Sequence, residues 1–307
     1  MAWIIVGIVV VVALAPFVAE RLRRPVARDR KAAEAGDFAR LSGGLTHYRW
    51  YGSEAPHVIV LIHGLTTPHW VFAGLTRGLN MLGYQVLAYD LYGRGLSDRP
   101  SEPQSPQFFL HQLTELLDEL GLEGPVSLMG YSMGGVIASL FAATYPERVD
   151  RMILLATAGI DYTPAPPLST AGRIGALGDW LWLTTGGRAL RAAAARDAAG
   201  PTVIPDIADR MQAETTRRGY LPAVLSAHRQ TLAIDLADLH RDVGKTTIPV
   251  LAIWGGDDAV IPLTAMGKLT QWNRRARHHV VEGVGHNLPH TAPNEIMTAI
   301  TTFFKEV

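Results

Sequence analysis

One hydroxyl stands among glycines in the stretch Val126–Ile137, VSLMGYSMGGVI. A short apolar run stops at Gly130, presents Ser132, and meets Gly134 before a second apolar run begins. A chain that turns sharply there from strand to helix holds the serine in strained dihedrals, with Oγ projecting at the C-terminal edge of the strand. Side chains two positions to either side would collide with the neighbouring helix and strand, which accounts for glycine at 130 and 134. The helix beyond the turn aims free N–H groups at nearby negative charge. The same five residues can also be a glycine-rich structural turn with an incidental serine. The apolar strand before it, the apolar helix after it and its place within an α/β pattern favour the nucleophile. A serine hydroxyl is a weak nucleophile near neutral pH and needs a base in hydrogen-bond reach, with a third group to orient that base.

Eleven histidines compete to be the base. His286, in GVGH, follows a strand-end glycine and precedes the last helix; His290, four residues on, is its rival. His278 and His279 fall inside a strand pattern and read as surface or core residues. His228 and His240 lie in a segment without strand patterns. Two aspartates, Asp257 and Asp258, follow the apolar run IPVLAIWG, and the residues alone leave both open as the orienting acid.

The elements that must position these groups alternate. HVIVLIHG (His57–Gly64), YQVLAYD, VSLMG, RMILLAT and IPVLAIWG read as buried strands, and HHVVEG as a further strand. Helical spacing appears in FAGLTRGLNMLG, in Gln107–Gly121, from Met133 to about Tyr145, around Thr264–Trp272 and in Pro293–Phe304. THYRWYG (Thr46–Gly52) alternates in the manner of an edge strand. Strands alternating with helices mean an α/β fold, with a mostly parallel central sheet flanked by helices. The rhythm breaks at Gly159 and returns at Ile248. The intervening stretch reads as a helical insertion seated over the functional edge of the sheet, because so long a structureless run is improbable in a compact domain.

Composition narrows the chemistry. Lys+Arg and Asp+Glu are 28 each, so no basic surface for nucleic acid is indicated. With no cysteine, disulfides, thiolate catalysis and cysteine-ligated zinc are excluded. DLYGRGLSD (Asp90–Asp98) lacks the third glycine of a dinucleotide loop and reads as a tight turn whose amides Asp90 and Ser97 satisfy. No cofactor and no metal is expected.

From about Thr46 to Phe304 the chain resembles the α/β-hydrolase fold family, in its serine esterase and lipase-like branch with a helical cap. The resemblance rests on LIHGLTTPHW, YDLYGRGLSDRP, GYSMGG, WGGDDAVIP and GVGHNLPH, in the order that family uses. It implies a Ser132–Asp258–His286 triad. Asp258 is selected over Asp257 by the pattern Trp-Gly-x-x-Asp-x-x-x-Pro at Trp254, Gly255, Asp258 and Pro262, and Asp257 is then a solvated loop residue. It implies an oxyanion hole from the backbone N–H groups of Met133 and Leu65. His63 would brace the loop. His69, Trp70 and Tyr131 are candidates for the substrate pocket. The expected activity is hydrolysis of carboxylic esters, such as lipid-derived monoacylglycerols, through an acyl-enzyme. Alternatives are thioester hydrolysis, carbon–carbon hydrolysis of dienoic acids, and a non-enzymatic ligand receptor on the same fold. The carbon–carbon hydrolases typically carry Asn before the nucleophile and Trp after the histidine; this chain has Tyr131 and Asn287. An aspartate nucleophile would mark epoxide hydrolases and dehalogenases, and Ser132 argues against both.

The N-terminus stands apart. Ala2–Ala19 carries no charge, and eighteen helical residues span roughly 27 Å, close to the ~30 Å hydrocarbon core of a bilayer. Basic residues follow in ERLRRPVARDRK. No Lys or Arg precedes the run, and its Ala-x-Ala site, Ala13–Ala15, is followed by Pro16, so an uncleaved anchor fits better than a cleaved export signal. The basic flank then places the domain in the cytoplasm. The expected organisation is an anchor over 1–20, a basic flank and linker over 21–44, a first core segment over 45–158, a helical cap over 159–247 and a second core segment over 248–307. The expected partners are a small acyl ester and the membrane.

Overall fold

The computed structural model describes residues 1–31 and 36–306. The chain opens with α1 (Ala2–Arg21) and the short α2 (Ala27–Arg30). There follow β1 (Asp37–Leu41), β2 (Gly44–Tyr51), β3 (His57–Ile62), α3 (Ala73–Met81), β4 (Tyr84–Tyr89), α4 (Pro106–Glu119), β5 (Val126–Tyr131), α5 (Met133–Thr144) and β6 (Val149–Leu155). Five helices come next: α6 (Leu168–Arg173), α7 (Gly175–Ala199), α8 (Ile207–Thr216), α9 (Tyr220–Gln230) and α10 (Ala237–Lys245). The chain closes with β7 (Val250–Gly255), α11 (Thr264–Trp272), β8 (Arg277–Val281), α12 (Leu288–Thr291) and α13 (Pro293–Glu306).

The sheet runs β1-β2-β4-β3-β5-β6-β7-β8. Its first two pairings are antiparallel and all the others parallel. Parallel strands must be covered on both faces, and the alternation along β3 shows how. Val60 and Ile62 join the core shared with α4 and α5, whereas Ile59 and Leu61 join the core shared with α3 and α13. α5 is apolar all round and almost wholly buried, as a helix lying against the sheet's centre must be.

Two expectations fail at the sheet's start. Thr46–Gly52 is not at the edge: β2 is flanked by β1 on one side and β4 on the other. β1 lies inside the stretch read as linker, and its partner is supplied by the tight reversal at Gly44. Residues 32–35 of that stretch lie outside the described ones.

α1 is exposed along its length apart from Pro16 and Glu20. Among the described residues it alone is long and apolar enough to cross a membrane. Pro16 has no N–H, so the carbonyl four residues back, on Val12, loses its helical partner. The Trp180 indole of α7 donates to that oxygen at 3.1 Å. At the other end, the Glu20 carboxylate accepts the Gly219 N–H at 2.6 Å and pairs with Arg23. Arg24 forms a parallel bridge with Arg217, and the Arg218 N–H donates to the Arg24 carbonyl at 2.9 Å. The first helix is thus fastened at two points to the helices between β6 and β7.

Candidate active site

Ser132 sits at the junction of β5 and α5 with φ +52° and ψ −116°. A non-glycine residue at positive φ costs on the order of 1–3 kcal/mol and persists only where its surroundings enforce it. The glycines show the enforcement. A Cβ on Gly130 would lie 2.4 Å from the Gly134 carbonyl oxygen, and one on Gly134 would lie 1.9 Å from that of Ile62. The helix therefore approaches the two central strands more closely than any side chain allows. The Ser132 N–H donates to the Leu155 carbonyl at 2.9 Å, and its own carbonyl accepts from Ala158, so the loop after β6 locks the turn.

His286 lies between β8 and α12, and Asp258 just past β7. The Ser132 Oγ is 2.9 Å from His286 Nε2, and His286 Nδ1 is 2.8 Å from Asp258 Oδ2. Asp258 Oδ1 accepts the N–H groups of Val260 and Ile261 at 2.8 and 2.9 Å. A carboxylate so placed can only accept from the ring. Nδ1 therefore carries the imidazole proton, and Nε2 is left to accept from the serine hydroxyl. Tyr131 adds a brace: its hydroxyl donates to the His286 carbonyl at 3.0 Å. Asp258 and Ser132 are buried, whereas Asp257 is exposed.

A cavity of about 240 Å³ opens over this group. Ser132, His286, Leu65 and Tyr131 line it from the core, and Tyr162, Trp182 and Leu190 from the segment after β6. Met133 is the first residue of α5, so its N–H has no acceptor within the helix. Leu65 lines the same cavity from the loop after β3. That loop is held from three sides. His63 Nδ1–H donates to the Gly64 carbonyl at 2.8 Å, while its Nε2 accepts the Leu91 N–H at 2.9 Å. Burial pushes the His63 pKa down to about 4, so it stays neutral. The Arg94 guanidinium donates to the carbonyls of Leu65, Tyr92 and Ala223 and to Gln104. The Tyr220 hydroxyl donates to the Thr66 carbonyl at 2.8 Å.

His69 and Trp70 are not in this cavity, which corrects the expectation that they line the substrate pocket. His69 is turned toward the turn after β4, where its backbone N–H and Nδ1 both meet Asp90 Oδ1, at 3.0 and 2.7 Å. Trp70 follows it and lies under the Arg210 guanidinium, 5.6 Å from the ring centre. Both line a separate recess with Asp90 and Arg217. His290, the rival base, is buried, bonded to the Thr202 hydroxyl at 3.0 Å and held by burial at a pKa of about 4. Of the other histidines, His278 accepts from the Trp254 indole and His228 lies 3.5 Å from the Tyr162 hydroxyl.

Arg94 and Tyr220, which tie the Leu65–Thr66 loop to α9, were not singled out by sequence reasoning. For the first, the available signal is an arginine set between two glycines, Gly93 and Gly95. For Tyr220 there was none, because its partner lies 154 residues away.

A sequence model of one family, described as alpha/beta hydrolase fold, matches residues 57–293. The chain is 30% identical over 266 residues to 2-hydroxymuconate semialdehyde hydrolase of Pseudomonas putida, covering 84% of this chain and 89% of that protein. It is 28% identical over 265 residues to 2-hydroxy-6-oxo-2,4-heptadienoate hydrolase of Pseudomonas putida, covering 83% and 90%. Among solved structures, the enol-lactonase from Burkholderia xenovorans superposes with a TM-score of 0.70 at 21% identity, covering 88% of this chain and 100% of that one. A membrane phospholipase A superposes with a TM-score of 0.71 at 21% identity, covering 100% of this chain and 99% of that one. At such identities the two structures bear on fold alone. With the sheet order, the serine turn and the family match in agreement, the chain is a hydrolase belonging to the α/β-hydrolase fold family.

Proposed function

We propose that the protein is a serine hydrolase that cleaves carboxylic esters through an acyl-enzyme. The observation that carries this reading is the continuous bond path from Ser132 Oγ through both nitrogens of His286 to Asp258. In the first step Ser132 Oγ bonds to the ester carbonyl carbon as its proton passes to His286 Nε2. Asp258 holds the ring in its tautomer and stabilises the imidazolium. Charge that develops on the carbonyl oxygen is met by the N–H groups of Met133 and Leu65, each donor being worth about 2.7–4 kcal/mol. The C–O bond then breaks, and the alcohol leaves with the proton from Nε2. Water, deprotonated by the same nitrogen, attacks the acyl carbon and regenerates the serine. The segment 159–247 acts as a cap that closes the site, and its Tyr162, Trp182 and Leu190 suit an apolar acyl group.

A second reading, hydrolysis of a carbon–carbon bond in dienoic acids, is favoured by the names of the two curated relatives. Tyr131 and Asn287 stand where such enzymes typically carry Asn and Trp. Tyr131 instead bonds the His286 carbonyl, and Asn287 donates to Asp197 at 3.1 Å. Thioesters share the acyl chemistry. We also read α1 as a membrane anchor with the hydrolase domain on the cytoplasmic side, from its length, its exposure and the basic residues that follow.

The deciding experiment is a panel of short esters, monoacylglycerols, acyl thioesters and dienoic acids, run beside Ser132→Ala, with fluorophosphonate labelling of the serine. Ester turnover that disappears with Ser132 is the expected result. Preference for the dienoic acids transfers the assignment to the second reading. A serine that does not label, with no turnover on any substrate, leaves the receptor alternative. For the anchor, carbonate extraction of full-length protein is expected to leave it in the membrane pellet; recovery in the supernatant removes that reading.

A further inference from the structure

The cavity over Ser132 is small, about 240 Å³, below the ~300–1,000 Å³ usual for ligand sites. A larger one of about 790 Å³ lies beside it, between α1 and the helices of the cap. Phe17 and Val18 form one wall, and Trp182, Leu183 and Leu225 the other. Its carboxylates are already engaged: Glu20 pairs with Arg23, and Asp179 with Arg229. Arg21, Ser101, Ser226 and Gln230 also line it, and the greater part of its surface is apolar.

Trp182 lines both cavities. Its indole is 1% exposed and is held by one polar bond, Nε1–H to the Leu221 carbonyl at 2.8 Å. It is the partition between a space that contains the serine and a space that contains the first helix.

On the reading of α1 as an anchor, the larger space also faces the bilayer. Trp180 meets α1 at Val12, nine residues before Arg21, which is about 13 Å up the helix from its first cation. With α1 spanning, the first turns of α7 lie at that depth. Leu177 in the first turn of α7 and Ile174 just before it are 73% and 44% exposed, and the neighbouring Arg173 is exposed as well. Apolar side chains turned outward beside an apolar helix fit lipid better than water.

We propose that the cavity between α1 and the cap receives the acyl chain of a lipid taken directly from the bilayer, and that displacement of the Trp182 indole joins it to the cavity over Ser132. The inference rests on the ester-hydrolase reading and narrows its substrates to long-chain lipid esters.

The test uses full-length protein in phosphatidylcholine vesicles. A palmitic acid bearing a terminal diazirine is photolysed, and the labelled peptides are mapped. Label on Phe17, Val18, Leu183 or Leu225 is expected; label confined to residues 2–12 describes only the lipid around the helix and overturns the proposal. In parallel, kcat/KM for p-nitrophenyl palmitate is divided by that for the acetate. Leu225→Trp, which narrows the cavity, is expected to lower the ratio at least tenfold, and Trp182→Ala, which removes the partition, to raise it. The same ratio in the parent and in both variants, with acetate turnover still dependent on Ser132, overturns the proposal while sparing the ester reading. Loss of Ser132-dependent turnover on both esters in the parent defeats the ester reading, and the photolabelling then decides the cavity alone.

Discussion

Among the described residues the same chemical couple occurs twice, and in only one copy does an imidazole nitrogen face a hydroxyl. In the first, His286 Nδ1 meets Asp258 at 2.8 Å and the far nitrogen faces a serine in an open cavity. In the second, Asp90 takes two imidazoles, His47 at 2.8 Å and His69 at 2.7 Å, and accepts the N–H groups of His69 and Leu96 as well. Burial pushes the Asp90 carboxyl up, but the two histidines outweigh it and hold the pKa well below the ordinary carboxylate value. All of its acceptor capacity is spent on joining β2, the loop after β3 and the turn after β4. Asp258 uses one oxygen for its loop and keeps the other for the ring. An Asp–His pair therefore becomes a candidate catalyst only when the second ring nitrogen is left facing a nucleophile and space for substrate. When every atom is tied down it is a rivet.

Substitutions that treat the two couples alike should separate them. Ser132→Ala is expected to lower ester turnover by about 10⁶-fold with the fold intact, measured as initial rates beside a thermal melt. Residual turnover within tenfold of the parent would reduce the first couple to another rivet. Asp258→Asn keeps the shape but permits the wrong tautomer, and about 10⁴-fold loss in kcat is expected. Asp90→Ala reverses the pattern. It strands two buried imidazoles, and about 3–5 kcal/mol of stability should be lost in urea unfolding while the folded fraction remains active. Full stability with lost turnover would place Asp90 in the chemistry instead.

Acid should probe the buried histidines. Burial holds His63, His290 and His240 each at a pKa of about 4, against about 6.5 in the unfolded chain. Below about 6.5 the unfolded chain takes protons that the folded chain refuses, so their contribution is complete above that pH and falls as the pH drops toward 4. Asp90 adds loss in the same direction lower down, as the pH falls through its depressed folded value. Urea midpoints at pH 7.5, 5.5 and 4.5 should therefore decline in order; equal midpoints would mean that these rings are not held neutral by the fold. The smallest effect is expected at His240. Neither of its ring nitrogens has a hydrogen-bond partner and the ring stacks on Trp272, so His240→Leu should gain about 1 kcal/mol.

The reactive couple was far more legible in the sequence than the riveting one. Ser132, Asp258 and His286 each follow a strand end, and strand ends announce themselves through apolar runs closed by glycine. Asp90 and Ser97 were readable only as turn residues, because a turn is local. The imidazoles of His47 and His69 reach Asp90 across 43 and 21 residues, and no spacing rule carries that. His69 and Trp70 are misleading for the same reason: they follow the Leu65–Thr66 loop in sequence, yet the short helical turn His69–Phe72 carries them into a separate recess. β1 is not legible because DFARL is short and lacks a clean apolar–polar alternation, and its order comes from pairing with β2.

The joint at the end of α1 has a mechanical consequence. Glu20 grips the main chain at Gly219, and the adjacent Tyr220 grips it at Thr66, next to Leu65. Two side chains and two backbone steps thus connect the tilt of the first helix to the amide proposed to meet the oxyanion. A protein shortened to begin after Arg21 would lose more than an apolar helix, since the fixed end of that linkage would go with it.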